Sequence, residues 1–218
     1  MMSSLNRYPF ASRLLVLISL CIWLALPGVA KAAVAIEQFE QFVKTVPAAT
    51  GTFKQYSVGP DGQTAKAQEG SFSFSRPGKF RWDIKSPFAQ QVVSDGKTLF
   101  QYDPDLQQMT VRQLGQSIGS SPAAILFGTG GIGQAFNVSS LPNSDGMSWL
   151  RALPRQPDAG LNRVDIGMFE GKPARMILVD GFGQTTRVDL LTIRARSGFG
   201  PEEFRIDPPA GTDVVRIQ

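Results

Sequence analysis

The 218-residue chain contains no histidine and only one cysteine, Cys21. Because Cys21 lies near the amino terminus, in a stretch typical of a removable leader, the rest of the chain has neither a thiol nor an imidazole. This excludes thiol nucleophiles, His-based triads, disulfides and the usual zinc sites. Acid–base chemistry in this chain would have to rely on carboxylates.

The first 32 residues have the pattern of a secretory signal peptide. Arg7 and Arg13 precede an apolar run from Leu14 to Leu26, and small residues follow up to Ala32. The run is too short to span a bilayer comfortably. We therefore predict export with cleavage after Ala32, which leaves residues 33–218 as a single domain large enough to bury a core.

Cys21 is a poor candidate for lipid modification, because Leu20 is too large for the position before a lipidated cysteine. Loss of the leader also changes the charge. The whole chain has 22 basic and 18 acidic residues, and removal of Arg7, Arg13 and Lys31 leaves 19 basic residues. Such a balanced chain is not expected to bind nucleic acid broadly.

The segment SFSFSRPGKFRW, residues 71–82, is the most informative part of the chain. Its alternation places Phe72, Phe74 and Arg76 on one face of a strand, so that an arginine points toward an apolar interior. After the turn, the apolar face continues with Phe80, Trp82 and Ile84. A buried guanidinium needs acceptors or a route to water, which suggests a functional role for Arg76.

The remaining patterns indicate a mainly β protein with few helices. Residues 34–46 form an amphipathic helix whose predicted stripe is Ile36, Phe39, Val43 and Val46. Short strands separated by turn residues follow from residue 50 to about 112, which is typical of an antiparallel meander. The last of them places Met109 and Val111 on one side.

Residues 113–148 are rich in Gly, Ser and Asn around one apolar island, Pro122–Phe127. We predict a short helix there that acts as a lid. Strand patterns then resume at Trp149–Leu153, Asn162–Met168, Ala174–Val179, Thr185–Ile193 and Phe204–Ile206. In total we expect about eleven strands curved around an apolar face, with two helical segments covering it.

Two signals of chemistry are weak. Residues 128–133 match G-x-G-x-x-G, but no βαβ pattern follows, so a flexible hinge is the simpler interpretation and no cofactor is expected. A pair of carboxylates could hydrolyse glycosides, but the sequence shows no sign of one. Glu202 and Glu203 would point oppositely on a strand, and we expect Asp158, Asp165 and Asp189 to be solvated.

Several motifs in this order resemble the LolA family of periplasmic lipoprotein carriers. The resemblance covers nearly all of residues 33–218. It rests on Gly51-Thr52-Phe53-Lys54-Gln55, Arg76-Pro77 with Phe80-x-Trp82, Val93 to Leu99 with Tyr102 and Pro104, the Pro122–Phe127 island, and Phe204-x-Ile206-x-Pro208-Pro209-x-Gly211.

The resemblance implies an incomplete, strongly curved antiparallel β-barrel, covered by short helices that form a lid over a hydrophobic cavity. It also implies that Arg76 is a latch that hydrogen-bonds carbonyls of the lid. We assign Ile125, Leu126 and Phe127 to the lid. The expected lipid-cavity wall consists of Phe72, Phe74, Phe80, Trp82, Ile84, Met109 and Val111.

The family function implies a monomeric, non-enzymatic chaperone without metal or cofactor. It would take acylated lipoproteins from an inner-membrane ABC transporter of the LolCDE type and deliver them to an outer-membrane acceptor of the LolB type. Two alternatives stay open from the sequence: a LolB-like acceptor or lipid-sensing half-barrel, which anchoring through Cys21 would favour, and a carboxylate-dependent periplasmic hydrolase.

Overall fold

A computed structural model describes residues 34–116, 121–128, 132–156 and 160–217. The predicted signal peptide and Asp158 lie outside these residues. Within the described ranges, no helix is long and apolar enough to cross a membrane.

The described residues form one open sheet of twelve strands. Its order is β12-β6-β5-β4-β3-β2-β1-β11-β10-β9-β8-β7, so β12 and β7 form the two edges. The strands are β1 (Ala48–Val58), β2 (Gln68–Ser75), β3 (Lys79–Ser86), β4 (Gln90–Asp95), β5 (Thr98–Asp103), β6 (Gln108–Gln113), β7 (Phe136–Ser144), β8 (Met147–Pro154), β9 (Arg163–Phe169), β10 (Lys172–Val179), β11 (Thr185–Ala195) and β12 (Asp213–Arg216).

Every neighbouring pair of strands is antiparallel except β12 and β6, which run parallel. One core cluster contains inward residues both from β1 to β3 and from β8 to β11. Strands so far apart in one sheet can share a core only if the sheet curves around it. The predicted fold class, an incomplete antiparallel barrel of mostly β structure, is therefore confirmed.

In the described part of the chain, three α-helices accompany the sheet: α1 (Val34–Thr45), α2 (Pro122–Phe127) and α3 (Ile132–Ala135). Helix α1 lies on β7 to β10 and buries Ala35, Phe39 and Phe42. Phe42 was absent from the predicted stripe, although it follows Phe39 at helical spacing. The other predicted stripe residues are partly buried against the core: Ile36, Val43 and Val46.

Two strand predictions were wrong. Strand β7 lies in the stretch expected to be irregular, and it went unnoticed because most of its side chains are exposed at a sheet edge and lack apolar alternation. The predicted strand at Phe204–Ile206 is instead a 3-10 turn, Pro201–Phe204, followed by extended chain. Arg81 holds this turn against β3 by donating from Nε to the carbonyl of Glu203 at 2.9 Å.

Two glycines on the inner face allow phenylalanine rings to lie flat against the sheet. Gly51 of β1 pairs across the strands with Phe72 of β2, and Gly70 of β2 pairs with Phe53 of β1. A Cβ atom at Gly51 would clash with the Phe72 ring and with the carbonyl of Thr192, and one at Gly70 would lie 2.5 Å from Phe53 Cζ. The absence of these side chains therefore positions both rings.

Carboxylates that the sequence analysis expected to be solvated are ion-paired on the outer side of the sheet. Asp165 is 6% exposed, and its two oxygens accept hydrogen bonds from Arg151 at 2.6 and 2.8 Å. Burial alone would raise the pKa of Asp189, but hydrogen bonds from Arg187 and Arg175 outweigh it and lower that pKa. These carboxylates therefore form ion pairs that stabilise the sheet, and they are not free in solvent.

The Gly51→Ala substitution tests the packing of Phe72. We expect the free energy of unfolding to fall by about 3 kcal/mol, because the new methyl group forces the ring or β11 to move. Gly115→Ala is the control, since nothing lies within 4 Å of a Cβ built there. Chemical denaturation of both variants measures the effect, and equal stabilities would contradict the packing described.

Candidate functional site

The inner face of β1 to β3 carries a continuous group of aromatic rings, which we call the aromatic wall: Phe53, Phe72, Phe74, Phe80 and Trp82. Each is at most 3% exposed. Phe53 stacks on Trp82 with ring centroids 3.8 Å apart, and Trp82 lies nearly parallel to Phe72 at 5.7 Å. Parallel rings at these distances form an apolar surface with few projections.

Helix α2 inserts a ring of its own into the aromatic wall. Phe127 stacks on Phe74 at 4.3 Å and on Phe72 at 5.3 Å, and it is fully buried. The helix begins where Ser121 Oγ accepts a hydrogen bond from the amide of Ala123. In this arrangement the interior is therefore filled by the chain's own aromatic side chain.

Arg76 lies just after β2, where the aromatic wall meets helix α2. Its Nη1 donates a hydrogen bond to the carbonyl of Leu126 at 3.0 Å. Its guanidinium carbon lies 4.9 Å from the ring centroid of Phe74, 5.7 Å from Phe42 and 5.9 Å from Phe127. One cation thus contacts the wall, helix α1 and helix α2 together.

The environment of Arg76 both attracts and opposes its charge. Carbonyls at the carboxyl end of a helix carry partial negative charge, which favours a cation beside Leu126. Burial lowers the pKa of Arg76 to about 10, so the group remains protonated at neutral pH but loses hydration. Nε and Nη2 are buried and have no hydrogen-bond partner among the described residues. The net stabilisation from the contact between Arg76 and Leu126 is therefore small.

The structure brings most of the predicted site residues into one cluster. The main core contains Phe72, Phe74, Phe80, Trp82, Ile84, Ile125, Leu126 and Phe127. Two predicted wall residues lie outside it: Met109 is buried and Val111 is half-buried, but neither belongs to this cluster. Their assignment to the wall was wrong, because the strand register places them on the outer face of the sheet. Met109 pairs with Tyr102 and Val111 with Phe100, whereas the inward residues of β5, Leu99 and Gln101, pair with Arg112 and Thr110.

Sequence reasoning missed two residues that contact the site. Phe53 stands two positions after Gly51, so strand alternation would have placed both on the inner face. Phe42 packs edge-on against Phe74, with ring centroids 6.3 Å apart. The strand parity of the Gly51-Thr52-Phe53 motif was the available signal for Phe53.

A cavity of about 280 Å³ lies beside the aromatic wall. Its apolar lining consists of Trp82, Ile84, Val92, Pro122, Leu161 and Leu178, and its polar lining includes Gln55, Gln90, Gln101, Gln184 and Thr186. This volume falls just short of the roughly 300–1,000 Å³ of pockets that hold drug-sized ligands. Displacement of Phe127 would enlarge this space, because its ring occupies the adjoining part of the aromatic wall.

The described residues offer little support for catalytic chemistry. Among those lining the cavity, Asp180 is the only carboxylate, and its Oδ1 accepts hydrogen bonds from the amides of Phe182 and Gln184. Nowhere in the described ranges do three or more metal-ligating side chains come together. Residues 129–131 of the G-x-G-x-x-G match lie outside the described residues. The short α3 then leads into β7, which pairs antiparallel with β8, unlike a βαβ unit.

Comparison with known sequences decides the family. Residues 44–207 match the model described as outer membrane lipoprotein carrier protein LolA. The chain belongs to the LolA family. That range includes the aromatic wall, Arg76 and α2.

Named relatives agree with this assignment. The outer-membrane lipoprotein carrier protein of Bordetella bronchiseptica is 57% identical over 186 residues, which are 85% of this chain and 88% of the relative. The protein of the same name from Dechloromonas aromatica is 39% identical over 181 residues, covering 83% and 87%. This LolA-family chain therefore matches its relatives over nearly their whole length.

A solved structure supports the fold alone. A LolA superfamily protein from Nitrosomonas europaea superposes with a TM-score of 0.51 at 13% identity, covering 80% of this chain and 98% of that protein. The agreement concerns the open, curved sheet with its helices.

The Phe127→Ala substitution tests whether α2 fills the interior. Without the ring, we expect the empty protein to bind an environment-sensitive apolar dye more tightly, because the wall is uncovered, and the free energy of unfolding to fall by about 3 kcal/mol. Phe182→Ala is the matched control, since Phe182 is 84% exposed. Dye titration and denaturation measure both effects, and identical behaviour of the two variants would refute the role of Phe127.

Proposed function

We propose that this chain is a periplasmic carrier that shields the acyl chains of lipoproteins between the inner and outer membranes. The observation that carries the proposal is the insertion of Phe127 into the aromatic wall, held by the contact between Arg76 and the Leu126 carbonyl. The relatives named as outer-membrane lipoprotein carriers support it.

The energetics of acyl chains explain the need for such a wall. Each buried methylene is worth about 0.8 kcal/mol, so a chain of about sixteen carbons carries roughly 12 kcal/mol and does not cross water unaided. An open apolar wall of comparable extent would aggregate or bind at random. Phe127 solves this problem, because it covers the wall when no cargo is present and leaves it when an acyl chain enters.

Exchange of Phe127 for an acyl chain keeps binding reversible. The cargo gains burial against the wall, while the protein loses the stacking of Phe127 and the contact of Arg76. A hydrogen bond to a charged group is worth about 1.5–3 kcal/mol, but rehydration of the released guanidinium offsets part of that loss. In this proposal Arg76 is a latch that lowers cargo affinity enough for release.

The partners follow from this role. An inner-membrane ABC transporter of the LolCDE type supplies the acylated polypeptide, and an outer-membrane acceptor of the LolB type receives it. In this role the carrier catalyses no reaction. Its leader directs export and is cleaved after Ala32. An acceptor role would require a lipid anchor at Cys21, which the large Leu20 disfavours.

The Arg76→Leu substitution tests the carrier and its latch together. We expect the variant to take up acylated polypeptide as the wild type does, but to transfer at least about tenfold less to purified acceptor. The reason is that loss of the latch destabilises the empty, covered state and so strengthens cargo binding. The measurement is a transfer assay that follows acylated polypeptide from carrier to acceptor.

Arg194→Leu serves as the control, because Arg194 is exposed on β11 and should leave transfer unchanged. Normal release by Arg76→Leu would refute the latch while leaving the carrier role intact. Failure of the wild type to bind acylated polypeptide would refute the carrier role itself.

A further inference from the structure

Four glutamine side chains line the cavity at its mouth: Gln55, Gln90, Gln101 and Gln184. They come from β1, β4 and β5 and from the residue before β11, and all lie toward the same end of the sheet. Below them are the apolar side chains that continue into the aromatic wall. An amphiphile with its chain inside would therefore place its polar linkage among these amides.

Three of the four amide groups, those of Gln55, Gln90 and Gln101, form hydrogen bonds with neighbouring side chains. Gln90 Nε2 donates to Asp103 Oδ1 at 2.6 Å, and Gln101 Nε2 donates to Asp103 Oδ2 at 3.4 Å. Gln55 Nε2 donates to Gln68 Oε1 at 3.0 Å. The other side-chain atom, Gln55 Oε1, is buried and has no partner among the described residues. The mouth thus presents fixed amides with at least one acceptor available.

The charges at the mouth are unfavourable to anions. None of the described lining residues is lysine or arginine, and the one charged side chain among them is Asp180. Asp103 lies directly behind Gln90 and Gln101. A carboxylate or phosphate entering here would lose hydration beside two carboxylates without a cation to pair with.

We infer that this mouth selects acyl chains attached through neutral ester or amide linkages and rejects free fatty acids and phosphate-bearing lipids. Amide side chains donate hydrogen bonds to ester carbonyls and accept them from amide N–H groups, so they satisfy a neutral linkage fully. The inference rests on the proposed acyl-carrier function and specifies the ligand that the carrier accepts.

The test compares monolauroylglycerol with laurate, which share one acyl chain and differ in a neutral ester against a carboxylate. Each lipid displaces a fluorescent alkyl probe from the full mature protein at a pH where laurate is ionised. We expect the ester to displace the probe at a concentration at least roughly tenfold lower than laurate does.

Two substitutions introduce a cation at the mouth on different strands: Gln55→Lys and Thr186→Lys. Each should tighten laurate binding by roughly tenfold while changing monolauroylglycerol binding little, because only the carboxylate gains a partner. Gln41→Lys is the matched control, since Gln41 is exposed on α1, and it should change neither affinity. Thermal melting of each variant identifies any that fails to fold, and having two positions keeps the test decisive.

The outcomes separate this inference from the carrier function. If both lipids displace the probe equally from the wild type, or if neither cation changes the preference, the selectivity is wrong while acyl binding stands. If neither lipid displaces the probe, acyl binding itself fails and the inference falls with it. The inference is supported if the wild type prefers the ester and at least one lysine variant removes or reverses that preference.

Discussion

The guanidinium of Arg76 lies where the end of β2, the last turn of α2 and the Phe42 ring of α1 meet. Its hydrogen bond to the Leu126 carbonyl holds α2 in the position where Phe127 stacks on the wall. Burial of the same cation weakens the arrangement, as its lowered pKa indicates. A neutral hydrogen-bond donor of equal size would avoid that penalty and would make the covered state harder to leave, whereas leucine removes the hydrogen bond itself.

The flatness of the aromatic wall is the second requirement of this account. Gly51 and Gly70 have no side chains, so the rings of Phe72 and Phe53 lie against the backbone instead of projecting into the interior. Space remains for one further ring, and Phe127 occupies it. The same space would suit a flexible acyl chain, because the acyl chain and the Phe127 ring both present only apolar atoms to the wall.

Much of this site was predictable from local sequence, for physical reasons. Alternation in residues 71–82 correctly placed Phe72, Phe74 and Trp82 inside, since a strand buries one face. The acceptor for Arg76 was not predictable from pattern, because it is a backbone carbonyl fifty residues away and a carbonyl leaves no trace in sequence. Family resemblance, rather than periodicity, pointed to it.

Other features depended on long-range structure that no local pattern encodes. Strand β7 is polar because it forms an edge, and the parallel pairing of β12 with β6 depends on where the carboxyl-terminal segment reaches the sheet. The burial of Asp165 depends on Arg151, which lies on the neighbouring strand. These features are set by tertiary structure, so local pattern predicted an irregular stretch in place of β7, no strand at residues 213–216 and a solvated Asp165.

The most direct test of the central claim is the ¹⁹F NMR spectrum of the protein with fluorophenylalanine at position 127. In the empty protein, the ring at position 127 stacks on Phe72 and Phe74, and these two rings should shift the fluorine resonance through their ring currents. Saturation with an acylated polypeptide should move the resonance to a different environment, because the acyl chain takes the place of the ring. A resonance that remains unchanged in the loaded protein would contradict the account.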